Sequence, residues 1–262
     1  MHKLLSYSFT LFLLWTFSAC QKEEDQDTGT RLLKRTSSKD ADSLNSTYYA
    51  YDNQNRLTSI SASISSAIDQ GSAERYRVDF VYDAQGRMAS ATETYNGTYT
   101  FQYDNQNRII QKLHVTPTPT PYPGRSTYAY DNRGRLIADT LHSVWEKEIF
   151  EYTTYTYDHN DNVTEVQVYR NNAGIYHVER TYQAQYDSKY NPYKPLGNVL
   201  YYLFSDPNGR EHHLSKNNRL RKTFPNGDIV SYSYTYEGDL PKSVTTADSS
   251  DPGWSSYEEF HY

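Results

Sequence analysis

From Tyr49 onward the chain alternates aromatic residues with small or polar ones at period two. Tyr49-Ala50-Tyr51, Phe80-Val81-Tyr82, Phe101-Gln102-Tyr103, Tyr128-Ala129-Tyr130 and Tyr155-Thr156-Tyr157 each place two rings on one face of a strand. An aspartate follows every pair: Asp52, Asp83, Asp104, Asp131 and Asp158. Four copies then pass through a short polar turn into Asn55-Arg56, Gly86-Arg87, Asn107-Arg108 and Gly134-Arg135, whereas the fifth has Asp161-Asn162 there. A unit returning in this way is an internal repeat, and it sets the architecture.

Residues 101–113 show how one copy folds. Phe101 and Tyr103 face one way, Thr100 and Gln102 the other. Asp104 closes the strand, because its carboxylate accepts backbone N–H groups of the turn. Asn107, like Gly86 and Gly134, stands where the chain needs positive φ, which Asn and Gly tolerate best. Arg108 starts the return strand, within reach of Asp104 as an exposed pair of small worth. Successive aspartates lie roughly 20 to 30 residues apart, enough for two strands and two connections, so the spacing predicts an antiparallel meander. Cross-strand pairing should then stack Tyr on Tyr from hairpin to hairpin.

After Tyr190 the copies loosen. Tyr186-Asp187 is followed by Lys189-Tyr190-Asn191-Pro192, where Pro should break the return strand. Asp206-Pro207-Asn208-Gly209-Arg210 keeps only the turn, and residues 232–239 read as a shortened hairpin. Residues 191–197 and Pro225-Asn226-Gly227 read as turns, and residues 257–262 as a closing strand. The Thr-Pro alternation at 116–124 cannot join a ladder and reads as an extended loop.

Composition changes the expected core. Leu, Ile, Val and Phe make up roughly 18% of the chain, under the approximate 20% line that flags disorder. The 28 tyrosines overturn that flag. They carry large apolar area with a polar tip and form strands well, so the core should be an aromatic ladder, much of it half buried.

These copies resemble the YD repeats of Rhs proteins. The N-terminus is an export signal: Lys3, a short apolar run, then Ala19-Cys20. Leu14-Trp15-Thr16-Phe17-Ser18-Ala19-Cys20 resembles a bacterial lipobox, with Phe17 a less usual residue at its position. The whole layout is similar to YD-repeat lipoproteins of Bacteroidetes. The resemblance implies a strongly curved, barrel-like all-β sheet and lipidation at Cys20, and it does not imply a catalytic activity. Lys22-Glu23-Glu24 is similar to a surface-export signal of such lipoproteins and implies an outer-membrane protein facing the cell exterior. Rhs proteins proper are much longer and enclose a toxin, for which this chain has no counterpart.

The expected organisation is a signal at 1–19, a lipidated Cys and flexible acidic linker at 20–44, and one YD-repeat domain at 45–262. Cys20 is the sole cysteine, so no disulfide is available. A formal charge of −6 without a basic stripe argues against nucleic acid as partner.

Little in the sequence points to chemistry. Asp158-His159-Asn160-Asp161-Asn162 opens like a calcium loop, but Val163 and Tyr169 stand where Gly and Glu are required. His212-His213, read as a strand, point to opposite faces and would be surface histidines rather than zinc ligands. No nucleophile elbow, phosphate loop or zinc-protease helix occurs. Asp42-Ser43-Leu44 and Asp139-Thr140-Leu141 match a short O-glycosylation pattern. Asp52, Asp83, Asp104, Asp131, Asp158, Gly86, Gly134, Arg56, Arg87, Arg108 and Arg135 are therefore expected to serve the turns. No cofactor, metal or catalytic residue is expected. The expected function is a non-enzymatic surface module binding glycan or protein, with a purely structural lipoprotein or an unrecognised hydrolase as alternatives. A membrane-spanning barrel is disfavoured, because the strands have one aromatic and one Ser/Thr face.

Overall fold

The computed structural model describes residues 32–40, 43–66, 72–116, 124–142, 149–196, 199–203 and 211–262. The expected export signal, Cys20, the acidic segment to residue 31, most of the Pro-rich segment and the turn expected at 206–210 lie outside the described residues. Every expected aromatic pair lies on a strand. The first strands are β1 (Arg35–Asp40), β2 (Ser43–Tyr51), β3 (Leu57–Ser66), β4 (Ser72–Tyr82), β5 (Met88–Glu93), β6 (Gly97–Tyr103), β7 (Ile109–Val115) and β8 (Gly124–Tyr130). They continue with β9 (Leu136–His142), β10 (Ile149–Tyr157), β11 (Val163–Asn172) and β12 (Ile175–Tyr190). A helical segment follows, then β13 (Asn217–Thr223), β14 (Ile229–Glu237), β15 (Leu240–Asp248) and β16 (Asp251–His261).

Each strand pairs antiparallel with its neighbours in sequence, and β1 closes the ring by pairing with both β2 and β16. Arg35 lies opposite His261 on one side and Tyr48 on the other. The sheet is thus a closed meander barrel, and closure removes every free edge. The barrel starts at Arg35, ahead of the boundary expected at residue 45, so 35–44 is not linker. Its Arg-Thr-Ser-Ser-Lys-Asp sequence lacks apolar alternation, and β1 is a strand because it seals the seam, burying Thr36 and Ser37.

One irregularity recurs at the same place in all five strong repeats. The register shifts between Ala50 and Tyr51, Val81 and Tyr82, Gln102 and Tyr103, Ala129 and Tyr130, and Thr156 and Tyr157. The extra residue sits second in each return strand, for example Ile110 between partners Ile109 and Gln111. A bulge adds twist and bends the strand, and five of them at one level curl the sheet. They also break simple alternation: Leu136 is buried, Ile137 exposed and Asp139 buried again.

Inward positions hold the core, including Tyr49, Val78, Phe80, Tyr99, Phe101, Tyr128, Tyr155 and Tyr182. Outward positions are mixed: on β14 the exposed residues are Ser231, Ser233, Thr235 and Glu237, whereas Val81, Ile110, Val115, Ile137 and Leu220 are apolar side chains exposed on other strands. No described helix is long and apolar enough to cross a membrane.

The interior is filled from one end. Between β12 and β13 the chain forms a 3-10 turn (Lys194–Leu196) and helices α1 (Val199–Leu203) and α2 (Glu211–Leu214). Leu196, Leu200, Tyr201, Tyr202, Leu203 and Leu214 join the same buried cluster as the inward strand residues. This segment is a plug. Three expectations change with it. Tyr186-Asp187 is no hairpin turn, since β12 runs through it to Tyr190. His213 is buried rather than superficial, on a helix rather than a strand. At Tyr82, Tyr103, Tyr130 and Tyr157 an arginine lies over the ring in place of the expected tyrosine, as described next.

Candidate functional site

The repeat residues assemble one recurring unit. Asp52 Oδ1 accepts the backbone N–H of Gln54 and of Arg56, both at 2.9 Å, and Asp52 Oδ2 accepts the Arg56 guanidinium at 2.7 Å. Asp83, Asp104 and Asp131 repeat the arrangement with Arg87, Arg108 and Arg135. Asn55, Asn107, Gly86 and Gly134 sit at φ of 60°, 61°, 76° and 79°, the left-handed region. The backbone N–H of Arg56 holds the Asp52 carboxyl below its ordinary value of 3.8, against partial desolvation and with help from the guanidinium and Gln54. Asp104 is lowered in the same way by Arg108.

Each arginine then spans to the next repeat. Arg56, Arg87, Arg108 and Arg135 lie over the rings of Tyr82, Tyr103, Tyr130 and Tyr157, 4.6 to 4.9 Å from the centroids. Those tyrosines donate to the carbonyls of Leu57, Met88, Ile109 and Leu136, the residues just after the preceding arginines. Asp, Arg and Tyr therefore form a belt around one end of the barrel. Burial foremost pushes the Tyr103 hydroxyl up to about 12, so it remains a donor at neutral pH.

The fifth copy departs for a visible reason. Asp158 keeps the turn, accepting the backbone N–H of Asn160 and Asn162 at 2.9 Å. Asp161 takes positive φ and receives Arg133 and Arg135 of the previous copy at 2.9 and 3.1 Å. Asn162, buried, exchanges hydrogen bonds with Asn217 at the start of β13. Ser215 Oγ accepts the Val163 N–H at 3.1 Å. The irregular copy grips the returning end of the plug.

Inside, charge fastens the plug to the wall. Glu211 on α2 pairs with Arg219 on β13, accepts the Tyr182 hydroxyl at 2.7 Å, and has Lys222 Nζ 3.9 Å away. Burial by itself would raise the Glu211 carboxyl, but Arg219 and then Lys222 outweigh it and hold it below the ordinary range. Lys222 lies 3.8 Å from the Tyr182 ring centroid, and Arg219 donates to Tyr232 at 2.6 Å. Burial, then the neighbouring His212, keeps His213 well below the usual imidazole range and therefore neutral.

The end opposite the belt opens into a cleft of about 380 Å³ lined by Asn96, Tyr99, Lys112, His114, Ser126 and Asp139, with Leu141 and Glu151 beside them. Its floor is the plug. Tyr201 donates to Asp139 and meets Tyr155 at 2.7 Å; Tyr202 meets Tyr130 at 2.6 Å, and its carbonyl accepts Lys112 Nζ at 2.7 Å. The His114 ring stacks on Tyr99, 4.3 Å between centroids. Asn96 and Tyr99 both donate to the buried Glu93 just behind, and Glu151 pairs with Arg170 at 3.1 Å. A larger groove of about 520 Å³, lined by Thr156, Thr164, Glu165, Gln183 and Arg221, lies on the outer face of the sheet and holds no aromatic ring.

The structure places the expected turn residues Asp52, Asp83, Asp104, Asp131, Asp158, Gly86, Gly134, Arg56, Arg87, Arg108 and Arg135 together at the belt end, away from the cleft. Cys20 lies outside the described residues. The cleft residues belong to no repeat position, and no short-range signal marks them. In the Asp139-Thr140-Leu141 pattern, Asp139 is buried against Tyr201 while Thr140 is half-buried. Among the described residues no group of three or more His, Cys, Asp or Glu is placed to hold a metal.

Comparison with known proteins gives three results. A family model described as RHS repeat matches residues 82–117, so the chain carries an RHS repeat. No curated protein matches. Among solved structures, a porin-like protein from Bacteroides uniformis superposes with a TM-score of 0.63 at 11% identity, covering 87% of this chain and 94% of its own. A porin-like protein from Bacteroides vulgatus gives 0.55 at 11% identity, covering 88% and 98%. The toxin assembly TcdB2-TccC3-Cdc42 matches 84% of this chain over 10% of its own, with a TM-score of 0.34 at 11% identity. With the two Bacteroides proteins, at 11% identity, the shared property is the fold.

Proposed function

We propose that this chain is a non-enzymatic envelope lipoprotein, held through Cys20 in the outer membrane and facing the cell exterior, that binds glycan in the cleft at the mouth opposite the Asp-Arg-Tyr belt. The observation that carries the reading is the cleft itself: a cavity of ligand size, lined by donors and acceptors on rigid strands and floored by a fixed plug. Neighbouring carboxylate, amide, hydroxyl and imidazole groups suit a polyhydroxylated ligand.

Position supports it as well. Leu33 accepts the Tyr51 hydroxyl at 2.8 Å and Lys34 donates to the His261 carbonyl at 2.8 Å, both at the belt end. The described chain therefore begins at the end away from the cleft.

Hydrolysis is disfavoured by the use already made of the two cleft carboxylates. Asp139 is engaged by Tyr201, and the charge of Glu151 is matched by Arg170.

A glycan array probed with the full-length protein in detergent tests the reading. Binding to a defined glycan is expected, with no turnover of it. Ser126→Trp, which fills the cleft, should abolish binding while leaving the far-ultraviolet circular dichroism unchanged. Absence of any glycan hit would favour the purely structural alternative, in which the tyrosines serve only the core.

A further inference from the structure

The outer face beside the cleft carries an aromatic cluster that neither the repeat nor the core uses. Tyr152 on β10 and Tyr169 on β11 are register partners and stack at 4.4 Å with an interplanar angle of 10°. Tyr176 on β12 meets Tyr152 at 5.3 Å, edge to face, and Val178 stands opposite Tyr169. Tyr176 and Val178 are 40% and 56% exposed. Phe150, also exposed, lies at the rim with the Arg170 guanidinium 5.4 Å from its ring centroid.

This platform is continuous with the cleft through one strand. Glu151 faces inward and lines the cleft, while Phe150 and Tyr152 flank it on the rim and the outside. Arg170 joins the two, pairing with Glu151 and covering Phe150. A ligand emerging over β10 passes directly from polar contacts to aromatic faces.

We propose that the platform is a second subsite for the same ligand, and that the ligand is a neutral oligosaccharide chain rather than a single sugar or an acidic glycan. The inference rests on the cleft reading above. A pyranose ring presents an apolar C–H face that suits an aromatic ring, together with hydroxyls that suit carboxylates and amides. A cleft of about 380 Å³ accommodates one or two sugar units, so a longer chain must run over the rim. Neutrality follows from charge. Asp139, Glu151 and the adjacent Glu93 outnumber Lys112 and Arg170, which are already engaged by the Tyr202 carbonyl and by Glu151, so uronate carboxylates are disfavoured.

Isothermal titration of the full-length protein with cello-, malto-, xylo- and manno-oligosaccharides of two to six units tests this, with oligogalacturonides as the acidic series. In at least one neutral series affinity should rise with length, and the acidic series should bind at least tenfold more weakly. The pair Tyr152→Ala and Tyr176→Ala should lower affinity for the longest neutral chain about tenfold while leaving the disaccharide unchanged. Saturation-transfer NMR on the unaltered protein, which needs no variant to fold, should show contact between tyrosine ring protons and the longer chains only. Binding that is independent of length, unaffected by the double variant, or stronger for oligogalacturonides overturns the platform while leaving the cleft reading intact. No binding to any series overturns both.

Discussion

At the scale of single residues, the repeat is a relay of three groups with distinct physical tasks. Aspartate gives its carboxylate to two backbone N–H groups and one guanidinium, which leaves it well satisfied and on the acid side of its usual range. Arginine hydrogen-bonds its own aspartate with the edge of its plane and covers the next tyrosine with the face. Tyrosine ties its hydroxyl back to the previous repeat. The turn role of Asp104 and the positive φ of Asn107 are readable from the chain alone, since both are local preferences. The arginine contact is not, because its partner lies a full repeat away. Tyr103→Phe keeps the ring under Arg87 but removes the 2.6 Å bond to the Met88 carbonyl. It should lower unfolding free energy by about 1 kcal/mol in a urea titration, with an unchanged slope.

At the scale of elements, the plug is what the sequence concealed. Residues 191–216 lack the aromatic alternation and look like loosened repeats, yet Asn162, Ser215 and Asn217 bind them at the neck and Glu211 binds them inside. A four-residue helix is not stable by propensity; α2 exists because the wall supplies Arg219, Lys222 and Tyr182. Glu211→Gln leaves two buried cations without their counter-charge and should destabilise the protein by about 3–5 kcal/mol, read from thermal or denaturant unfolding. The sign of the pH dependence follows from the same cluster. The Glu211 carboxyl is lowered in the folded state, so its contribution is present above the ordinary carboxyl value of 4.5 and is lost as pH falls below it. The variant's unfolding should therefore show a weaker acid dependence than the parent's.

At the scale of the whole molecule, the sheet is a closed barrel with a filled interior, and the lipid chain proposed at Cys20 would be its hold on the membrane. Cys20→Ala should release the folded protein into the soluble fraction; recovery as an integral membrane protein would overturn that picture. By itself the sequence determined the strands, the meander and the turn chemistry, because period-two alternation and positive-φ residues act within one hairpin. Tertiary structure alone decided whether the sheet closes, where Arg35–Asp40 belongs, what fills the interior and which end opens. Closure depends on register shifts repeated at one level and on a polar strand meeting β16 from the far end of the chain. The cleft exists because residues from β6 to β10 converge over Tyr201 and Tyr202 of the plug. Such contacts span from a few residues to nearly a hundred along the chain, and no local pattern encodes a partner at that distance.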